Sequence, residues 1–170
     1  MIFNSLTYIL FIFSVATLYW FFAPKPRLYL IFISSLIFYG FWKIEFIPVM
    51  LFSVIADYLI SLKIHKSAKL RKKRLLIMSL IINVGLLFYF KYLIFFSESI
   101  FSFASLLGIS IDPLILNIIL PLGISFYTFQ TISYTVDVYR GKIKPENSFV
   151  LYACYVTFFP QLIAGPILRA

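Results

Sequence analysis

The chain has 170 residues, of which 62% are hydrophobic, 21% aromatic and 12% charged. Ordinary soluble domains carry about 45–50% apolar and about 25% charged residues, so 15 basic and 6 acidic side chains cannot clothe 21 Phe and 12 Tyr in water, and a soluble globular domain is excluded. Single copies of Cys and His exclude a disulfide framework and a Cys/His metal cluster built within the chain. The expected architecture is all-α: a polytopic transmembrane helical protein with about six membrane segments, forming one membrane domain over residues 1–170.

The first 24 residues carry no charge. As helix they reach about 36 Å, more than the ~30 Å hydrocarbon core requires. They lack the basic start, the shorter apolar run and the small-residue cleavage site of a secretory signal, so residues 3 to 22 read as a retained span. Lys25 and Arg27 follow, then uncharged residues 28 to 42, the pair Lys43 and Glu45, and a mostly apolar run from 46 to 62. The segment from Lys63 to Arg74 holds seven Lys/Arg and no acid. If this run and Lys25/Arg27 both face the cytoplasm, the chain between them crosses an even number of times. Two short spans or a re-entrant hairpin satisfy that condition.

Residues 75 to 96 predict the next span, with Lys91 near its far interface. An outer segment around Glu98 to Asp112 follows, then uncharged residues 113 to 136, then Arg140, Lys142 and Lys144 on the inner side. Residues 148 to 167 make a last apolar segment, broken by Pro160 and Gly165-Pro166. With six crossings and the N-terminus outside, twelve of the fifteen Lys/Arg face inward, as topology rules favour. The basic run is then held against a bilayer, where it meets anionic lipid and not nucleic acid. His65 lies inside that run, a poor setting for a catalytic base.

Polar residues recur within the penultimate apolar stretch. Tyr127, Gln130 with Thr131, Tyr134 and Asp137 are spaced by three to four residues, which places them on one helix face. Unpaired polar groups are costly in hydrocarbon, so this stripe faces neighbouring helices or a hydrated cavity. Pro121 and Gly123 suit a kink or a helix start. Asp137 and Arg140, three apart, suggest an ion pair at the helix end. Asp57, inside a short span, requires a partner or water. Cys154, in an apolar segment, reads as a small packing residue.

The stretch from Leu120-Pro-Leu-Gly-Ile-Ser-Phe-Tyr-Thr-Phe-Gln through Val136-Asp-Val-Tyr-Arg-Gly141, and Phe158-Phe-Pro-Gln-Leu-Ile-Ala-Gly-Pro-Ile167 with Arg169, resemble signature segments of the membrane-bound O-acyltransferase family. The closer resemblance is to its bacterial branch of alginate O-acetylation and D-alanyl transfer proteins. That resemblance implies a multi-helix body enclosing a tunnel, through which an acyl group, here acetyl, passes from a cytoplasmic donor to an exported polysaccharide such as alginate. The implied location is a bacterial inner membrane, and the implied donor an acyl-CoA or acyl carrier protein, with no cofactor bound by this chain. Implied partners are the lipid bilayer, a C-terminal half, and periplasmic or extracellular acyl-acceptor proteins. The family's essential His belongs to a later segment, so no catalytic residue is expected here, and the chain is expected to be an inactive N-terminal portion. The implied tunnel-wall and motif residues are Pro121, Gly123, Ser125, Tyr127, Gln130, Tyr134, Asp137, Arg140, Pro160, Gln161, Gly165 and Pro166. A transporter or channel is the competing reading, since a polar stripe and a Pro/Gly-broken helix also mark solute paths.

Overall fold

A computed structural model describes residues 5–106 and 119–165, and every element among them is a helix. These are α1 (Leu6–Phe21), α2 (Pro24–Lys43), α3 (Ile47–Lys66), α4 (Lys69–Leu87), α5 (Leu93–Leu106), α6 (Ile124–Tyr139), α7 (Phe149–Thr157) and α8 (Phe159–Ala164). The all-α expectation therefore holds among the described residues.

Local signals set the helix boundaries. The Ser5 side chain accepts from the Tyr8 N–H at 3.2 Å and caps α1. Pro24, with its φ already suited to a first turn, starts α2. Arg27 closes the corner between them: Nε donates to the Tyr19 and Phe22 carbonyls at 2.9 and 2.8 Å, and the guanidinium lies 4.8 Å from the Tyr19 ring centre.

Helices α2 and α3 form a hairpin about a short 3-10 turn at Ile44–Phe46. The Phe149 ring lies 6.3 Å from Phe32 and 5.3 Å from Tyr58. In one straight helix residues 32 and 58 would stand about 39 Å apart, so the chain must fold back. Each leg has 20 residues, about 30 Å of helix. The first leg begins at Pro24 and takes Lys25 and Arg27 into its first turn, which corrects the expectation of a 15-residue segment starting at 28. Both legs thus have the length of a hydrocarbon core.

Helix α4 runs back along α3, and a π-helical turn at Phe88–Tyr92 carries it directly into α5. The chain is helical from Lys69 to Leu106, about 57 Å. The first part of the expected outer segment, from Glu98 to Leu106, is itself helical: Ser99 and Ser102 donate back to the Phe95 and Glu98 carbonyls at 2.8 Å. The remainder of that outer segment and the first residues of the expected span 113–136 lie outside the described residues.

Two helical stretches, Pro24–Lys66 and Lys69–Tyr92, are long and apolar enough to cross a membrane. The last apolar segment is divided as its sequence predicts. Pro160 lacks an N–H and its ring crowds the carbonyl four residues back, so α7 stops at Thr157 and α8 restarts at Phe159. Helices α2, α3, α6 and α7 surround a core that includes Tyr39, Met50, Val54, Tyr127, Tyr134 and Tyr152. Polarity is inverted relative to a water-soluble protein. Ser53, Asp57, Ser79, Asn83 and Thr131 are buried, whereas Phe13, Trp20, Phe21 and Ile81 are exposed, an arrangement suited to lipid outside.

Candidate functional site

The centre of the bundle holds a polar hub contributed by α3, α4 and α6. Asp57 of α3 has no exposed surface. Its Oδ1 accepts from Ser79 Oγ at 2.5 Å and its Oδ2 from Asn83 Nδ2 at 2.6 Å. Asn83 Oδ1 in turn accepts from Ser53 Oγ at 2.8 Å and Thr131 Oγ1 at 3.1 Å. Three helices are therefore joined through one amide side chain. The partner that Asp57 requires is supplied by α4, in a run whose sequence reads as plain hydrophobic span. Ser53 and Asp57, and Ser79 and Asn83, are each four residues apart, the spacing that puts both members of a pair on one face. That repeated spacing was the available signal for Ser53, Ser79 and Asn83.

Helix α6 presents its polar stripe inward, as expected. Tyr127 packs beside Tyr39 of α2. Gln130 Nε2 donates to the Tyr155 carbonyl of α7 at 2.7 Å. The Tyr134 hydroxyl accepts from the Glu146 backbone N–H at 2.7 Å, and its ring lies 4.7 Å from that of Tyr152. A cavity of about 160 Å³ opens beside Tyr134, Tyr152 and Tyr155. The buried hydroxyls of Thr128, Thr135 and Tyr152 have no hydrogen-bond partner among the described residues. At the upper end Lys91 Nζ reaches Ser125 Oγ at 3.4 Å.

Asp137 forms its ion pair with Lys142, 3.8 Å away, and not with Arg140, whose side chain is exposed. The helix terminus accounts for this correction. Gly141, at φ 73°, reverses the chain so that the Lys142 N–H donates to the Asp137 carbonyl and the Gly141 N–H to that of Val138, both at 3.0 Å. Lys142 is thereby folded back over the last turn to reach Asp137.

The two motif segments meet at Gly123. This residue precedes α6 with φ 68°, and a Cβ there would stand 2.4 Å from the Leu162 carbonyl oxygen of α8. Only glycine fits both the left-handed backbone and that approach. Pro121 is buried just before it, and its carbonyl accepts from the Ile124 N–H at 3.3 Å. On α8, Pro160 occupies the first turn, the Gln161 carbonyl accepts from the Gly165 N–H at 2.9 Å, and the Phe159 N–H donates to Ser35 Oγ of α2 at 3.2 Å. Pro166 lies outside the described residues. Cys154 donates to the Leu28 carbonyl from α7, in keeping with a packing role. His65 is exposed in the last turn of α3. Among the described residues the arrangement orders helices.

No family model matches the chain, and no solved structure does. Curated relatives do. The chain is 37% identical over 155 residues to a protein named probable alginate O-acetylase AlgI of Pseudomonas syringae, covering 89% of this chain and 30% of the relative. It is 35% identical over 173 aligned residues to the protein of that name in Pseudomonas aeruginosa, covering 99% and 33%. It is 37% identical over 169 aligned residues to the peptidoglycan O-acetyltransferase of Helicobacter pylori, covering 85% and 31%. The chain spans about a third of the length of the curated relatives it matches. Its two motif segments lock together at Gly123, and over most of its residues the chain is similar to these bacterial O-acetylases, which supports the resemblance to the membrane-bound O-acyltransferase family.

Proposed function

We propose that this chain forms the N-terminal membrane helices of an integral-membrane O-acyltransferase that passes an acetyl group from a cytoplasmic donor to an exported polysaccharide. The observation that carries the proposal is similarity at 31–37% identity to proteins named as O-acetylases of two different polysaccharides, alginate and peptidoglycan. The similarity is independent of acceptor, so the role of this part is the common one: to build a rigid wall. Its α6 face is fastened to α4 through Thr131 and to α7 through Gln130, leaving α6 with α8 beside it as the lining of an acyl tunnel. The donor is an acyl-CoA or acyl carrier protein, and an acceptor protein of the periplasm or cell exterior takes the product. About six membrane segments, the N-terminus outside and an inner-membrane location complete the reading.

Acyl transfer to a hydroxyl needs a group that accepts its proton near neutral pH, and His is the usual choice. The one His of this chain lies among cations at the end of α3. Residues 1–170 therefore supply no catalytic base, and the chemistry belongs to further segments of the protein. The test is complementation of a strain lacking the native gene, with ester-linked acetyl on exported polysaccharide as the readout. Full-length protein should restore acetylation and residues 1–170 alone should not. Acetylation by the short chain, lost on His65→Ala, would overturn the assignment of the chemistry. Failure of the full-length protein to acetylate any exported polysaccharide would overturn the function.

A further inference from the structure

The junction of α3 and α4 forms a groove of about 590 Å³ whose two ends differ in chemistry. One end is cationic, with Lys63, Lys66 and Arg71; the other is apolar, with Leu59, Leu62 and Leu75. The three cations are exposed and none has a carboxylate partner among the described residues. Ser67 Oγ is already engaged with the Lys63 carbonyl at 2.7 Å, so the groove offers its cations as the free polar groups. The first turn of α4 adds to the positive field: it contains no acidic residue and receives no side-chain cap.

The apolar end does not close. Leu59 is 48% exposed, and Ile55 and Phe52, one turn and two turns back on the same face of α3, are 42% and 56% exposed. Together they make a track of about 10 Å leading away from the cations along the helix. A small inorganic anion would use only the basic end and leave the track bare. A zwitterionic lipid would bring its own cation against three others.

We propose that this groove is a binding site for one anionic phospholipid, with its phosphate between Lys63, Lys66 and Arg71 and an acyl chain laid along Leu59, Ile55 and Phe52. The site differs from a diffuse attraction of the basic run for the membrane surface because it uses three of the seven basic residues and a specific apolar face. It is independent of the acyl-transfer reaction.

The full-length protein, purified in detergent, would be titrated with phosphatidylglycerol and with phosphatidylcholine, and bound lipid counted by native mass spectrometry. One phosphatidylglycerol per chain should bind saturably and in preference to phosphatidylcholine. The variant K63Q/K66Q/R71Q should weaken binding by on the order of a hundredfold, the combined attraction of three basic residues for anionic lipid. The variant K72Q/K73Q/R74Q removes the same charge from residues that do not line the groove and should weaken binding at least several-fold less than the groove variant, since it leaves the direct phosphate contacts in place. Leu59→Asn, which leaves every charge in place, should also weaken binding, because it breaks the apolar track. Equal losses in the two triple variants would overturn the site in favour of diffuse attraction. Displacement of the lipid by inorganic phosphate or coenzyme A, or equal binding of phosphatidylcholine, would overturn the choice of ligand.

Discussion

Asn83 ties three helices together, because its one amide gives and takes the bonds of three other side chains. Hydrogen bonds between transmembrane helices are worth about 0.6 kcal/mol on average and at most about 1.7. Replacement of Asn83 by Ala removes these three and its bond to the Ser79 carbonyl within α4, and should cost roughly 2 kcal/mol, whereas Ser53→Ala removes one and should cost about 0.6. Reversible unfolding in mixed micelles measures the difference; equal costs would show that the hub is not held through Asn83. Gly123 is constrained more severely. A left-handed backbone costs about 1–2 kcal/mol for a residue with Cβ, and that Cβ would also collide with the Leu162 carbonyl. Gly123→Ala should sharply reduce the amount of folded protein in the membrane. Gly85→Ala, where nothing stands within 4 Å of the added methyl group, should not.

Helix α6 shows how a local pattern and a tertiary contact divide the information. Its buried face was legible because Tyr127, Gln130, Thr131, Tyr134 and Asp137 lie on one helix, where a spacing of three to four residues is sufficient. What they touch was not legible: Gln130 bonds α7 25 residues away and Thr131 bonds α4 48 residues away, and no local rule pairs those positions. The same limit hid the partners of Asp57, while the break at Pro160 needed only the chemistry of one residue. Charge gave no sign that α5 stays helical past Glu98, because a charged residue marks where a chain can meet water and not where a helix stops. Substitution tests the face directly. Gln130→Leu removes the bond to the Tyr155 carbonyl and should lower stability by about 1 kcal/mol, with a matching fall in acetylation by the full-length protein. Phe129→Leu, on the face that is 49% exposed, should alter neither. Equal tolerance of both would mean that the α6–α7 contact carries no weight.

At the scale of the molecule, the question is how a helix of 38 residues sits in a bilayer. The hydrocarbon core is about 30 Å thick, and Lys69 to Leu106 reaches about 57 Å. One end must leave the membrane. In the proposed orientation the basic residues from Lys69 to Arg74 hold the lower end at the cytoplasmic headgroups, because Lys and Arg are retained there during insertion. The excess length should then emerge on the other side, carrying Glu98 and the exposed Ser105 beyond the outer interface. Ser67, at the turn between α3 and α4, lies on the inner side by the same argument. Cysteine labelling with a membrane-impermeant maleimide separates the two. Cys154 is buried and bonded to the Leu28 carbonyl, so Cys154→Ser provides a background without reactive thiols. In intact cells Ser105→Cys should label and Ser67→Cys should remain unlabelled until the membrane is opened. Labelling of Ser67→Cys in intact cells would invert the orientation, and with it the side from which any donor reaches the protein.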